Sequence, residues 1–342
     1  MSVAFLYPGQ GAQILGMLHQ LPDRAGATWT LQEASQVLGR DVLTLDTEQA
    51  LSSTAPVQLA LFVSGVAATR IMHAEGVEPD VVAGLSVGAF AAAVAAGALA
   101  FKDGLNLVKL RAELMEKAYP KGYGLAAVVG LSETHLSQIV SEFNQPASPV
   151  FVGNLNAPTQ FVIAGSDSGI EAVLNRAKNE GARSAKRLEV SVPSHCVLLQ
   201  SVADELTSRI AKIEIKTPKA IYVSNRRARV LRDPDGIRED LATNIAYPVR
   251  WHDATTVAYE RGVRFFLELP PGHTLTDLAS TAFPDARSIA LSQMQIDSAV
   301  KLIKRQARYL AANGIKPVGR PASLMVVLSL ARRVEQLRSA RC

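Results

Sequence analysis

Short apolar runs bounded by glycine or proline alternate with longer stretches of helical periodicity along most of the chain. Residues 3–7 and 81–83 are uninterrupted apolar runs, which are typical of buried strands. Residues 56–73, opened by Pro56, and residues 101–118 instead carry apolar side chains at helical spacing. Strands that alternate with helices favour a parallel sheet covered by helices. The pattern therefore predicts an α/β fold.

The pattern changes between residues 124 and 190. Strand and helix signals there follow the order β-α-β-β-α-β, at 124–130, 132–143, 150–154, 160–164, 166–179 and 185–190. This order is the ferredoxin-like motif. We therefore predict a large α/β-hydrolase-like domain with a parallel sheet at 1–123 and 191–315, and an inserted ferredoxin-like α+β subdomain at 124–190. A cleft between the two is expected, and residues 316–342 are predicted to form a linker and a basic C-terminal helix.

The composition limits the class of protein to which the chain can belong, but it says little about the activity. Of the 342 residues, 48% are apolar and 20% are charged, which fits a globular protein and argues against disorder. The net charge of +5 comes from scattered basic residues, so we expect no nucleic-acid partner. No apolar run approaches the ~18 residues that a membrane span needs, and Cys196 and Cys342 lack metal-ligand spacing. We therefore predict a cytoplasmic protein with no membrane partner.

One pentapeptide suggests nucleophilic chemistry. Gly84-Leu85-Ser86-Val87-Gly88 fits the G-x-S-x-G pattern between an apolar strand and an alanine-rich helix. In such an elbow the glycines allow a sharp turn that exposes the serine hydroxyl. The free N–H groups at the start of the next helix then face any oxyanion formed there. Ser86 is the candidate nucleophile, although glycine-serine turns without chemistry are also common.

Two further segments carry polar groups near predicted strand ends. Gln10 lies between glycines in Pro8-Gly9-Gln10-Gly11-Ala12-Gln13, directly after the first strand, where an ordinary turn is the simpler interpretation. His195 is the candidate base among six histidines, because an imidazole titrates near neutrality. Taken alone, a capping or core histidine explains His195 equally well.

With these pieces in place, the sequence resembles the malonyl-CoA:acyl carrier protein transacylase family from Val3 to about Asn313. Six features carry the resemblance, in the order that the family has them. They are Pro8-Gly9-Gln10-Gly11-Ala12-Gln13, the Ser86 elbow, Arg111, Asn154-Leu155-Asn156-Ala157-Pro158, Pro193-Ser194-His195-Cys196 and Tyr247-Pro248-Val249-Arg250-Trp251. Each is weak alone, but six in order around an insertion are specific.

The resemblance implies roles at the reacting centre. Ser86 would attack a thioester with His195 as base, and main-chain carbonyls rather than a carboxylate would orient that histidine. Arg250 matches the position of such a carbonyl. Gln10 and the backbone N–H of Val87 would form the oxyanion hole. Cys196, next to the base, is expected to be a small buried residue rather than a second nucleophile.

The resemblance also implies the substrates. Arg111 matches an arginine that holds the free carboxylate of a malonyl group, and Gln58 and Asn156 match polar residues that line the pocket. A guanidinium pairs with a carboxylate through two hydrogen bonds, so an acetyl group would leave it unpaired. Malonyl-CoA and the phosphopantetheine thiol of an acyl carrier protein are the implied partners. No metal or tightly bound cofactor is implied.

The elbow departs from the family pattern, because Leu85 and Ala89 stand where histidine and glutamate are common. These departures suggest a specialised branch, the epsilon subunit of malonate decarboxylase, which loads malonyl groups onto the carrier subunit of that system. The alternatives are a transacylase of fatty-acid or polyketide synthesis, a serine hydrolase such as a patatin-like lipase, and a non-catalytic scaffold subunit. A patatin-like dyad would require an aspartate and make His195 dispensable.

Overall fold

The computed structural model describes residues 2–119 and 121–312. The predicted linker and basic helix at 316–342 therefore lie outside the described residues, as does Cys342. Two sets of elements make up the described chain. The strands are β1 (Ser2–Tyr7), β2 (Val81–Gly84), β3 (Tyr123–Val129), β4 (Val150–Ala157), β5 (Gln160–Ser166), β6 (Ser184–Arg187), β7 (Ile221–Val223), β8 (Val230–Leu231), β9 (Val263–Glu268) and β10 (Arg287–Ala290). The helices are α1 (Ala25–Leu38), α2 (Glu48–Leu51), α3 (Thr54–Ala74), α4 (Gly88–Ala95), α5 (Phe101–Ala118), α6 (Glu133–Phe143), α7 (Asp167–Asn179), α8 (Gln200–Ile210), α9 (Pro234–Thr243), α10 (Trp251–Glu260), α11 (Thr274–Ala282) and α12 (Ile296–Ala312).

The larger sheet has six strands in the order β10-β9-β1-β2-β7-β8. All neighbouring pairs are parallel except β7 and β8, which are antiparallel. Alternate residues of β1 enter two different hydrophobic clusters: Val3 and Phe5 pack in one, and Ala4 and Leu6 in the other. Because successive side chains of a strand point to opposite faces, the sheet is buried on both sides. Burial on both sides explains why β1 and β2 are continuous apolar runs in the sequence.

The smaller sheet is antiparallel, with the strand order β4-β5-β3-β6. Buried residues of β3 and β5, among them Val128 and Ile163, pack with α6 and α7 in a separate cluster. The outer edge of β4 meets the segment that precedes α10. Leu155 N–H donates to Val249 C=O at 2.8 Å, and Val249 N–H donates to Gly153 C=O at 2.8 Å. These bonds fix the small sheet against the large one.

The structure confirms the α/β alternation and corrects several details. The large sheet is mixed rather than wholly parallel, because β8 returns antiparallel. The elements α1, α2, α9, β8 and β10 were not predicted. The strand β4 extends to Ala157, beyond its predicted end at residue 154, and β6 ends at Arg187 rather than Val190. After Cys196, a 3-10 turn at Val197–Leu199 precedes α8.

The expectation about apolar runs was wrong for α3. This helix is long and apolar enough to cross a membrane by length and composition. However, 83% of its most apolar window is buried inside the protein. A helix that is apolar all round is also what the centre of a large soluble domain requires. The helix α3 is accordingly a core helix, packed on α1, α4 and α5.

Candidate active site

The elbow depends on two close backbone approaches. A Cβ added to Gly84 would lie 2.1 Å from the backbone of Gly88, and one added to Gly88 would lie 2.2 Å from the carbonyl oxygen of Tyr7. Neither site tolerates a side chain, so α4 packs directly on the ends of β1 and β2. Ser86, between the glycines, carries the strained backbone with φ 57°. The turn thereby projects its hydroxyl at the carboxyl edge of the sheet, as in a nucleophile elbow.

Ser86 and His195 are in contact. Ser86 Oγ lies 2.7 Å from His195 Nε2, although the two residues are 109 positions apart. His195 Nδ1 lies 2.8 Å from the carbonyl oxygen of Asn244, and His195 N–H donates to Ile245 C=O at 2.7 Å. Because a carbonyl only accepts, Nδ1 carries the proton and Nε2 is the acceptor. The imidazole is therefore oriented to take the serine proton.

The prediction that the Arg250 carbonyl orients His195 was wrong. That carbonyl accepts the N–H of Ala254, in the first turn of α10. The Arg250 side chain donates from Nε to Asp253 at 2.6 Å. A 3-10 turn at Asn244–Ala246, which sequence patterns did not reveal, lies earlier in the chain and supplies the carbonyl instead. The type of support, a main-chain carbonyl rather than a carboxylate, agrees with the expectation.

Burial first, and the positive charge of Arg111 second, lower the pKa of His195 to about 4. The imidazole is consequently neutral at neutral pH, which is the form that accepts a proton. Only 2% of its surface is exposed. The histidine thus has the protonation state that a general base requires.

Arg111 projects from α5 into the same site and is fully buried. Its Nη2 donates to Ser86 Oγ at 3.0 Å, and its Nη1 donates to Gln58 Oε1 at 2.5 Å. Since Oγ accepts from Arg111, its own proton is directed towards His195. Burial lowers the pKa of Arg111 to about 9, which still leaves the guanidinium charged at neutral pH.

No acidic side chain in the described part of the chain balances the charge of Arg111. Among residues 2–119 and 121–312, no carboxylate forms an ion pair with it, and its Nε has no hydrogen-bond partner. A buried charge without a partner is costly, so this arrangement suits a site completed by an anionic ligand. A carboxylate near Ser86 Oγ would complete it.

The remaining predicted site residues are Gln58, Gln10, Val87 and Asn156. Gln58 is buried on α3, and its Nε2 lies 3.5 Å from Gln10 Oε1 and 3.4 Å from Met115 Sδ. Val87 directly precedes α4, and its N–H donates to no group among the described residues. Asn156 shares no hydrogen bond with the other predicted site residues in the described chain, and its buried Oδ1 has no partner. Thus hydrogen bonds connect Gln58 to Arg111 and Gln10, and Val87 follows Ser86 in the chain. The role of Asn156 in the pocket stays a prediction.

Sequence reasoning missed three residues that hold this site: Asn225, Asp240 and Asn244. Asn225 Oδ1 accepts the Ser86 N–H at 2.9 Å, and its Nδ2 donates to Gly84 C=O at 2.7 Å. A usable signal was present, because Asn225 follows β7 at the carboxyl edge of a parallel sheet, where functional residues gather. For Asn244 no such signal existed, since only its backbone carbonyl acts.

A cavity of about 480 Å³ lies beside His195. Its wall includes Phe151 of β4 and Ser141 of α6, so the cavity lies between the unit of the small sheet and the segments that carry Cys196 and Tyr247. Burial raises the pKa of the Cys196 thiol to about 12, and Cys196 Sγ lies 3.2 Å from Pro193 C=O. A thiol in that state is a poor nucleophile. No cluster of three metal-ligating side chains occurs within the described ranges.

Comparisons with known proteins agree with this geometry. A family model described as the acyl transferase domain matches residues 4–311. A malonyl CoA-acyl carrier protein transacylase of Bacillus subtilis is 34% identical over 311 residues, which are 89% of this chain and 98% of that protein.

Solved structures of malonyl transacylases are also similar to this chain. The crystal structure of an acyl-carrier-protein S-malonyltransferase from Burkholderia pseudomallei superposes with a TM-score of 0.84 at 36% identity, covering 88% of this chain and all of that one. A type II PKS acyl-carrier protein in complex with its malonyl-transacylase gives a TM-score of 0.82 at 34% identity, covering 85% and 96%. The fold is thus that of the similar proteins, and this chain covers nearly all of each of them.

Proposed function

This chain belongs to the acyl transferase domain family, and from that premise we propose how it works as a malonyl-CoA:acyl carrier protein transacylase. The observation that carries the proposal is the uncompensated charge of Arg111, buried 3.0 Å from Ser86 Oγ. In a malonyl thioester, the carboxylate and the reactive carbonyl are attached to the same methylene, so their carbon atoms are two bonds apart. One end would pair with the guanidinium while the other faces the hydroxyl.

The proposed reaction proceeds in two halves. Ser86 Oγ bonds to the thioester carbon while its proton passes to His195 Nε2. The tetrahedral adduct then expels the CoA sulfur, which takes the proton from His195 and leaves as the thiol. The products are CoA and a malonyl ester of Ser86. A carrier phosphopantetheine thiol attacks that ester by the same steps in reverse, and Ser86 regains its proton.

The oxyanion that develops on the carbonyl needs donors. The Val87 N–H has no partner among the described residues, and the first turn of α4 places it next to Ser86. Gln10 lies beside Gln58 at the other side of the site. We assign both to the oxyanion hole. Loss of one such donor typically lowers the rate by about 10²–10³.

The acceptor is proposed to be an acyl carrier protein of fatty-acid or polyketide synthesis. The Bacillus subtilis relative is named for transfer to acyl carrier protein, and the complex quoted above contains a polyketide carrier. The expectation of a malonate decarboxylase epsilon subunit gains no support from these proteins. The alternative expectation, a transacylase that serves an acyl carrier protein, fits them better.

Three further expectations remain proposals. We propose that the 124–190 segment is a ferredoxin-like subdomain inserted into a large domain at 1–123 and 191–315, supported by the β-α-β-β-α-β order of β3 to β6. We propose that the reaction needs no metal or bound cofactor, because Ser86, His195 and Arg111 supply each group that the steps above require. A cytoplasmic location stays a prediction, consistent with the free thiol of Cys196.

Intact-protein mass spectrometry tests the proposal directly. The native chain is incubated briefly with malonyl-CoA and, separately, with acetyl-CoA, and the same is done for Ser86→Ala. We expect a malonyl mass gain on the native chain, little acetyl gain, and neither on Ser86→Ala. Adding a phosphopantetheinylated carrier protein should move the group to the carrier faster than free malonate appears.

Two outcomes contradict the proposal. If the native chain gains no malonyl mass and releases no malonate, the scaffold interpretation replaces it. If malonate is released faster than the carrier is loaded, the chain is a hydrolase.

A further inference from the structure

Three non-glycine residues in the described ranges have positive φ, and the reacting pair accounts for two of them. Ser86 has φ 57° and His195 has φ 68°. Such conformations cost roughly 1–3 kcal/mol each and persist only when the surroundings enforce them. The third, Ala228 with φ 46°, lies on the loop that carries Asn225. Something in the structure must therefore hold these backbones in place.

Asn225 spans the strained turn with its side-chain amide. Its Oδ1 accepts the N–H of Ser86 at 2.9 Å, while its Nδ2 donates to the carbonyl of Gly84 at 2.7 Å. The backbone pairing of β2 with β7 stops at Ala83 and Val223. The amide of Asn225 thus supplies the next pair of hydrogen bonds, at the point where the sheet gives way to the elbow. No smaller side chain provides a donor and an acceptor on two separate atoms.

Asp240 fixes the loop that presents Asn225. This fully buried carboxylate accepts from the hydroxyls of Tyr222 at 2.9 Å and Ser224 at 2.5 Å. It also accepts the backbone N–H groups of Asn225 at 3.3 Å and Arg226 at 3.4 Å. Four donors on one carboxylate, drawn from β7 and the loop after it, leave that loop little freedom.

Asp240 is also connected to His195 by hydrogen bonds. Asp240 lies on α9, and its backbone carbonyl accepts the N–H of Asn244 one turn later. Asn244 in turn presents its carbonyl to His195 Nδ1 at 2.8 Å. From the side chain of Asp240 one path runs through Asn225 to Ser86, and from its backbone another runs through Asn244 to His195. Ser86 and His195 are therefore both connected by hydrogen bonds to the C-terminal end of α9.

We propose that Asn225 and Asp240 are positioning residues, which hold Ser86 and His195 in register for proton transfer. The inference rests on the proposed function, because it assumes that Ser86 is the nucleophile. Neither residue touches the reacting atoms, so their effect is on the alignment of the 2.7 Å contact between Ser86 and His195. A misplacement of about 1 Å at such a contact costs on the order of 10²-fold in rate.

The experiment measures the reactivity of Ser86 with a fluorophosphonate probe, which needs neither malonyl-CoA nor a carrier. Asn225→Ala removes both hydrogen bonds to the elbow, and Asn225→Asp keeps the acceptor for the Ser86 N–H. We expect labelling rates in the order native, Asn225→Asp, Asn225→Ala, with the last reduced about 10²-fold. In malonyl transfer, kcat should fall by a similar factor, whereas KM for malonyl-CoA should change less than about threefold because Arg111 is untouched.

Ser166→Ala is the matched control for lost stability. Ser166 is buried and accepts one backbone N–H, from Gly169 at 3.1 Å, in the small four-stranded unit. It should lower the melting temperature without lowering the labelling rate of the folded protein. Asp240→Asn, which keeps the shape of the carboxylate, should slow labelling by tenfold or more.

The results separate two kinds of failure. If the native chain transfers malonyl groups and Asn225→Ala is labelled as fast as the native protein, the positioning role is overturned and the proposed function stands. If Asn225→Ala changes KM as much as kcat, the residue acts on substrate binding and the inference is also wrong. If the native chain neither reacts with the probe nor gains a malonyl group, the proposed function itself fails.

Discussion

Ser86 and Arg111 lie 3.0 Å apart, yet the protein holds them by different means. Ser86 is held by the backbone: by Gly84 and Gly88, which permit close packing, and by a positive φ. Arg111 is held by burial along α5 and by one side-chain bond to Gln58. The reacting end of the site, which is Ser86 with His195, is thus complete without a ligand. The charged end, which is Arg111, lacks a counter-ion among the described residues.

This contrast separates catalysis from selectivity. Under the proposed function, the reacting end would attack any thioester that reaches it, because its proton path from Ser86 to His195 depends on protein groups alone. The charged end stabilises only ligands that bring a negative charge, since a neutral acyl group leaves the guanidinium unpaired. Changes at the two ends should therefore have different kinetic signatures.

The largest effect should come from breaking the reacting end. His195→Ala removes the proton acceptor, and we expect the acylation rate to fall by about 10²–10⁴ for malonyl and acetyl thioesters alike. Stopped-flow detection of released CoA measures it. His273→Ala is the control, because His273 is half-exposed and contacts Asp277 outside the site. A rate that survives His195→Ala would instead favour a serine-aspartate dyad.

The next effect should come from the charged end and should discriminate between substrates. Arg111→Gln removes the charge, and loss of one partner from a buried charge pair costs about 2–5 kcal/mol. We expect kcat/KM for malonyl-CoA to fall roughly 10²–10³-fold, while the value for acetyl-CoA changes far less. Steady-state assays with both substrates measure the ratio. An equal loss for both substrates would mean that Arg111 supports the reaction and not the choice of acyl group.

The two ends also differ in how far the sequence could predict them. The elbow is local: strand, glycine, serine, glycine and helix follow each other, so five consecutive residues predicted the turn around Ser86. Its support is not local. Asn225 and Asn244 reach Ser86 and His195 from 139 and 49 positions away, through one amide and one backbone carbonyl. No periodic pattern marks such contacts, and the family resemblance indicated Arg250 where the carbonyl of Asn244 acts.

For the fold, the sequence predicted elements with strong periodicity and missed those without it. The helix α5 was predicted with the bounds that the structure has, because its apolar stripe is regular from Phe101 to Ala118. The strands β8 and β10 are two and four residues long and were missed. Short edge strands acquire their structure from the neighbour with which they pair, so tertiary contacts decide them.

Acid pH should reveal the electrostatic link between the two ends. Burial and the charge of Arg111 hold the pKa of His195 at about 4, so native Ser86 should keep its full probe reactivity from neutral pH down to about 5. Below pH 4 the imidazole becomes protonated, and reactivity should fall about tenfold per pH unit. In Arg111→Gln the repulsion is lost, the pKa of His195 rises, and the acid limb should move to higher pH.

A pH series of labelling rates with the fluorophosphonate probe measures this shift. Arg70→Gln, which removes a charge on α3 remote from His195, should leave the limb in place. An acid limb near the ordinary histidine value of about 6.5 in the native protein would contradict the link, and so would an unchanged limb in Arg111→Gln.

The smallest effect should follow from changing the thiol beside the base. Cys196 is the neighbour of His195 in sequence, but burial raises its pKa to about 12 and its Sγ faces the carbonyl of Pro193. A thiol that stays protonated cannot compete with a hydroxyl whose proton has an acceptor at 2.7 Å. Cys196→Ser should therefore change the malonyl transfer rate by less than about threefold, and the malonyl adduct should remain on Ser86 in peptide mapping. An adduct lost with Cys196 and retained in Ser86→Ala would move the nucleophile to the sulfur and reverse the assignment of the reacting end.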